Sequence, residues 1–429
     1  MGIVIEDMYK ARLIDKKINQ YLQVVGAICV EGPKWCGKTW TSSHHAKSEY
    51  LIGDPKNNFQ NKKLVQMDNS VAFVGEHPRL IDEWQEVPEL WDATRMYVDK
   101  EIEKGLYILT GSATPKKKGI MHSGAGRIAK IRMETMSLWE SGDSTGDVSL
   151  KEICEGTFDK NKIVKETNIK TLAYLIIRGG WPGNIGVSEE LAYLIPKSYF
   201  ETILNEDFNK LDGEEKYDLH KVHLLMKSLA RNESTTVSLK TIVKDIKGVD
   251  NEDVSSPSVS KYIEALNRMF LISNQSPFSP NIVSSLRVKQ KEKIHYCDPA
   301  FACAILGITQ QKLINDLYIF GFMFESMVER DLRVYSEAFG AKLYHYQDYE
   351  DREIDAIIEM DNGDWCGIEI KLGIHQVEEA ANNLLRVSNA IIKNGGKAPK
   401  SLCVICGTGN AIYKRDDGIY VVPICSLKE

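Results

Sequence analysis

Eight consecutive residues, Gly32-Pro33-Lys34-Trp35-Cys36-Gly37-Lys38-Thr39, carry the spacing GxxxxGK[ST], and Trp40 follows directly. That pattern is built to hold phosphates. The glycines let backbone N–H groups close around one phosphate, and a helix opening behind them adds the positive end of its dipole. Lys38 is expected to reach the β- and γ-phosphates, and the Thr39 hydroxyl to sit on Mg²⁺. The expected ligand of Gly32 to Trp40 is therefore a nucleoside triphosphate, taken as ATP, with Mg²⁺. Cys36 lies inside the loop, so a thiol reagent is expected to inhibit and ATP to protect.

Further residues fit the same chemistry. Leu80-Ile81-Asp82-Glu83 is an apolar run ending in two carboxylates. Asp82 is expected in the Mg²⁺ shell, and Glu83 as the group that orients or polarises the attacking water. Ile108-Leu109-Thr110-Gly111-Ser112 ends a second apolar run, with Ser112 as a sensor between these acids and the γ-phosphate. Gly124-Ala125-Gly126-Arg127 offers Arg127 to the γ-phosphate, either in cis or from a neighbouring copy in a homo-oligomer.

A separate group lies near the other end. Glu353-Ile354-Asp355-Ala356-Ile357-Ile358 reads as a strand, Asp361-Asn362-Gly363-Asp364 as a turn, and Gly367-Ile368-Glu369-Ile370-Lys371 as the partner strand. The two-residue strand period puts Glu369 and Lys371 on one face. The pattern resembles the PD-(D/E)XK nuclease fold at Asp355, Glu369 and Lys371, with Ile354 where that fold often has proline. The resemblance implies that Asp355 and Glu369 hold Mg²⁺, which polarises a phosphodiester and activates water. Lys371 would lower the pKa of that water or neutralise developing charge. Glu325, on a helix among apolar residues, would complete the metal shell. The plainer reading is a solvated hairpin with one cross-strand ion pair.

These groups need elements to position them. Ile14, Ile18, Tyr21 and Leu22 recur at helical spacing. Val24 to Glu31, Arg79 to Glu83 and Leu106 to Thr110 read as strands, and a helix begins near Lys38. Strands alternating with helices predict an α/β fold with a parallel sheet covered on both faces. The polar stretch from Ser141 to Asp147 marks the exit from this first domain. The expected organisation is a P-loop NTPase domain over 1–145 and a helical lid or connector over 146–212. A winged-helix-like domain follows over 213–310, then an α/β nuclease-like domain over 311–429. In the third segment a capped helix from Pro257 to Ile272 precedes a basic ribbon. There Arg287, Lys289, Lys291 and Lys293 would meet DNA phosphates, or else stud a solvated edge.

The chain has 429 residues, 43% of them hydrophobic and 27% charged, with a net charge of −6. That composition is ordinary for a soluble globular protein and excludes a wholly basic nucleic-acid binder. No apolar run is long enough to cross a membrane, and no secretory leader is evident. Nine scattered cysteines fit a reduced, cytoplasmic protein. The pair Cys403 and Cys406 reads as part of a buried strand rather than a zinc or redox motif.

The run Gly32 to Thr39, Leu80-Ile81-Asp82-Glu83-Trp84-Gln85 with Pro88, Leu109-Thr110-Gly111-Ser112 and Gly126-Arg127 resembles a large prokaryotic family of AAA+-like ATPases. Members carry a C-terminal DUF4143 region. The likeness continues through Arg178-Gly179-Gly180-Trp181-Pro182 and Ile294-His295-Tyr296-Cys297-Asp298-Pro299, covering nearly the whole chain. It implies the fold and ATP binding, not a pathway. Two functions follow as expectations. One is an ATPase whose nucleotide state controls a nuclease-like domain. The other is an ATP-dependent signalling or scaffold switch whose nuclease-like domain is inactive.

Overall fold

The apolar runs form two large sheets. The computed structural model describes residues 9–115, 120–211, 217–250, 254–279 and 291–429. The first sheet contains Ala27–Glu31 (β1), Ser48–Leu51 (β2), Arg79–Asp82 (β3), Tyr107–Gly111 (β4) and Ile128–Arg132 (β5). Its order is β2-β3-β4-β1-β5, with every neighbouring pair parallel. Successive residues are apolar because both faces are covered. Ala27, Cys29, Ile81 and Leu109 enter one core; Ile28, Val30, Leu80 and Ile108 enter the other.

Parallel strands end on the same side. β1, β3 and β4 thus deliver Gly32, Asp82 with Glu83, and Ser112 to one edge of the sheet. The helix Lys38–His45 starts there, behind Gly37 at φ 106°, a backbone angle that favours glycine.

The middle region is mostly helical. Val148–Ser149 (β6) and Lys162–Ile163 (β7) come first, then helices Ile169–Arg178 and Leu194–Thr202. Helices Leu219–Arg231, Leu239–Asp250 and Ser256–Arg268 follow, the last with the expected capped start, since Ser255 accepts from the Ser258 amide. Antiparallel bridges Thr235↔Ile294, Ile272↔Tyr296 and Gln275↔Lys293 then form a ribbon. Arg287 and Lys289 lie outside the described residues. Lys291 is exposed, but Lys293 is buried, contrary to the expectation that it meets phosphates.

The last region opens with the long helix Leu317–Ala338. Lys342–Gln347 (β8), Glu353–Glu359 (β9) and Trp365–Lys371 (β10) form an antiparallel meander, followed by helix Val377–Lys393. Ser401–Cys406 (β11), Ala411–Lys414 (β12), Tyr420–Pro423 (β13) and Leu427–Lys428 (β14) complete it. The sheet order is β7-β12-β13-β11-β10-β9-β8, and β14 pairs in parallel with β6. Segments from the exit of the first domain are therefore woven into the last one. Cys403 and Cys406 are both buried in β11, as the apolar run predicted. Among the described residues, no helix is long and apolar enough to cross a membrane.

Candidate functional site

At the first sheet's edge the expected residues converge. Asp82 Oδ1 accepts hydrogen bonds from Thr39 Oγ1 at 2.9 Å and from Thr110 Oγ1 at 2.5 Å. Glu83 adopts a left-handed backbone at φ 59°, and its amide donates to Thr110 Oγ1. Its carboxylate accepts from Ser112 Oγ at 3.0 Å and from Gln85 Nε2. Lys38 is buried, and its ammonium donates to the Pro33 carbonyl at 2.8 Å. No carboxylate pairs with it among the described residues, which leaves a buried cation facing only a neutral dipole. Such a charge is stabilised by an incoming anion. At Gly32 a Cβ would lie 2.2 Å from the Met133 carbonyl, so no other residue fits the start of the loop without movement. The loop therefore suits a polyphosphate, and Thr39 with Asp82 suits its Mg²⁺.

Other residues brace this loop. Arg12 is buried and donates to the carbonyls of Cys36 and Glu134 while pairing with Glu140 at 2.9 Å. Trp181, from the turn-rich Arg178-Gly179-Gly180-Trp181-Pro182 element, donates to the Lys34 carbonyl. Lys34 itself pairs with Asp207 of the helical region at 2.7 Å. Trp35 and Trp40 are exposed.

Two residues sit differently from the expected arrangement. Arg127 precedes β5, whose first residue is level with Ala27 at the start of β1. It lies at the opposite end of the strands, roughly 20 Å from Gly32 at about 3.3 Å per residue, and pairs with Asp99 at 2.7 Å. Arg127 does not reach the loop of its own chain in this structure. Cys36 is fully buried, its thiol against the Met133 carbonyl, so it is not open to reagents.

The second group assembles where β9 and β10 diverge, after the last pair Ile368↔Ala356. Asp355 Oδ2 accepts from the Ile370 amide at 2.8 Å and from Lys371 Nζ at 3.2 Å. Lys371 also lies 2.7 Å from Glu369 Oε2. Glu325 reaches the cluster from the long helix. There its carboxylate meets the ammonium of Lys293 at 2.8 Å, which also lies 2.9 Å from Glu353.

Comparison with known proteins bears on both groups. Residues 25–141 match the family model of an AAA domain, 169–312 a domain of unknown function called DUF8612, and 320–427 a domain of unknown function called DUF4143. The chain is thus similar to an AAA domain over its first third and to DUF4143 over its last quarter. Uncharacterized proteins of Mycobacterium tuberculosis and Mycobacterium bovis are each 23% identical over 359 residues, 83% of this chain and 72% of theirs. The Walker-type ATPase PABY2304 of Pyrococcus abyssi is similar in structure at 12% identity with a TM-score of 0.41, over 70% of this chain and 97% of that one. The ORC1 protein of Aeropyrum pernix in complex with DNA gives 12% and 0.27, over 72% and 95%.

Within the DUF4143 region the cluster is dense in charge. Burial pushes the Glu325 carboxyl up to about 7. Burial and the neighbouring Asp355 push Glu369 up to about 8. Burial alone would raise Asp355 as well, but Lys371 and Lys293 outweigh it and hold Asp355 below the usual range.

Sequence reasoning missed several members of both sites. Thr110 and Gln85 stood inside the quoted motifs but carried no signal of their own. Asn383, which donates to Glu369 Oε1 and to the Glu353 carbonyl, sits one helix away from the strand motif. Lys293 was read as part of a ribbon. Its neighbourhood depends on how that ribbon docks, and residue spacing does not encode docking.

Proposed function

We propose that this chain hydrolyses ATP with Mg²⁺ and passes its nucleotide state through the middle region to a nuclease-like C-terminal domain. The observation that carries the ATPase reading is the Glu83 carboxylate held by Ser112 and Gln85 beside the Thr39–Asp82 pair. The loop amides and Lys38 bind the phosphates. Thr39 and Asp82 hold Mg²⁺, which offsets phosphate charge. Glu83 accepts a proton from the attacking water, and Ser112 fixes the carboxylate for that task.

Two contacts support the coupling. Two residues beyond Ser112, the Thr114 amide donates to the Arg268 carbonyl at 2.9 Å, and Arg268 Nε donates back at 3.0 Å. Lys34 of the loop is tied to Asp207. Both partners belong to the helical middle region, whose ribbon delivers Lys293 to the DUF4143 cluster. Three helices followed by a bridged ribbon support a winged-helix reading of residues 219–296. The Asp355, Glu369 and Lys371 cluster at a strand fork supports the nuclease-like reading.

The test is steady-state phosphate release by the full chain with Mg²⁺. Wild type is expected to turn over ATP, and Lys38→Ala to give none; undiminished turnover in that variant refutes the reading.

A further inference from the structure

A phosphodiesterase site of this kind needs a divalent cation among its carboxylates, with oxygens at about 2.0–2.6 Å from the ion. Here that space is contested by a side chain from another region. The Gln275 amide donates to the Lys293 carbonyl at 2.9 Å, and the Lys293 amide returns a bond to Gln275 at 3.0 Å. This pairing holds Lys293 against the fork of β9 and β10, and the Gln275 side chain donates to the Asp355 carbonyl. The Lys293 side chain is only 2% exposed, and its ammonium bridges Glu325 and Glu353. Lys371 bridges Asp355 and Glu369. All four carboxylates of the cluster thus have an ammonium within 3.2 Å. Asn383 takes a further oxygen of Glu369, and the Ile370 amide a further lone pair of Asp355. No group of three or more His, Cys, Asp or Glu side chains stands ready for a metal ion among the described residues. The donor set therefore does not fit Mg²⁺ as it stands.

We infer that the Lys293 ammonium, delivered by the middle region, binds Glu325 and Glu353 beside the Asp355 and Glu369 carboxylates that would hold the cation, and so keeps the nuclease-like site free of divalent metal. A buried lysine is a costly way to fill space, and the cost is offset only where its charge is matched. Four carboxyl groups at one fork supply that match. Removing Lys293 would leave them facing one another across a space that a divalent cation, not water, can stabilise. The inference rests on the nuclease-like reading of the C-terminal domain and is independent of ATP hydrolysis.

The experiment is Mn²⁺ binding, followed by electron paramagnetic resonance, to the nucleotide-free full chain. Wild type, Lys293→Met, and the double variant Asp355→Asn/Glu369→Gln are compared at neutral pH, with folding checked by near-ultraviolet circular dichroism. Wild type is expected to bind no more Mn²⁺ than the double variant, and Lys293→Met to gain about one ion per chain. An ion bound by wild type and lost in the double variant overturns the inference while leaving the nuclease-like reading standing. A folded Lys293→Met that gains no ion overturns both. If Lys293→Met does not fold, the wild-type comparison with the double variant decides alone. Cleavage of DNA or RNA follows the same pattern: wild type with Mn²⁺ is expected to cut neither, and cutting abolished by Asp355→Asn refutes the inference.

Discussion

At the P-loop, Asp82 is held by two neutral hydroxyls and the Lys38 ammonium rests on a carbonyl; in the DUF4143 region, Glu325, Glu353, Asp355 and Glu369 all sit against ammoniums. Both groups combine acids with lysines near the ends of strands, and a list of residue types would not separate them. What separates them is who satisfies whom. A charge that leans on a neutral dipole remains available to a ligand of the opposite sign. A charge already paired inside the protein is available only if its partner leaves. The first arrangement suits a site that exchanges a highly charged ligand, and the second suits one whose charges are already met.

The largest expected effect lies in the first group. Glu83→Gln should keep ATP binding while lowering turnover about 10²–10⁴-fold, the range for removing a positioned general base. Near-normal turnover in that variant would mean that another group activates the water.

Stability should report the contrast from the other side. Lys293→Met leaves the partly exposed Glu325 and Glu353 carboxylates without their partner and should cost about 1–3 kcal/mol in urea denaturation, because water reaches both acids. Adding Glu325→Gln to it should recover part of that loss. Lys38→Ala, which breaks no ion pair, should cost far less. Equal losses for the two lysines would erase the distinction.

A smaller effect is expected with pH. Burial and the charge of Lys293 lower the His345 imidazole to about 4. Its folded pKa lies below the unfolded value of ~6.5, so the stability it contributes is present above that value and is lost as pH falls towards 4. Between neutral pH and pH ~5 the loss should reach about 2 kcal/mol. His345→Gln should remove that part of the slope, and an unchanged slope would show that the imidazole is not the group responsible.

The smallest effect is a null one. Cys36 should react with a thiol reagent no faster with or without ATP, because its sulfur is already covered by the Met133 carbonyl. Rapid, ATP-protected labelling would mean that the loop opens.

What was legible in the sequence follows from chain distance. Gly32 to Thr39 act through their own backbone, so eight adjacent residues suffice to read them. Asp82, Glu83 and Ser112 were legible because parallel strands must end together. Glu369 and Lys371 share a face by strand period alone. Arg127 was misplaced because the strand after it had not been identified; a residue that precedes a parallel strand lies at the far edge. Lys293 was misread because alternating lysines suggest a solvated ribbon, and only the packing of Gln275 and Lys293 against β9 turns one of them inward. Arg12 brings its charge to the loop from a segment with no motif of its own.

The pairing of β6 with β14 joins Val148 to Leu427, and β7 joins β12 in the same way. On a ribosome adding about 5–20 residues per second, the strand at residue 148 waits roughly 15–55 s for its partner. The sheet that carries the P-loop is complete by residue 132. During that interval a nascent chain holds a complete P-loop sheet and two strands whose partners have not yet been made. Factors that shield exposed edges during translation would matter most over residues 148–163.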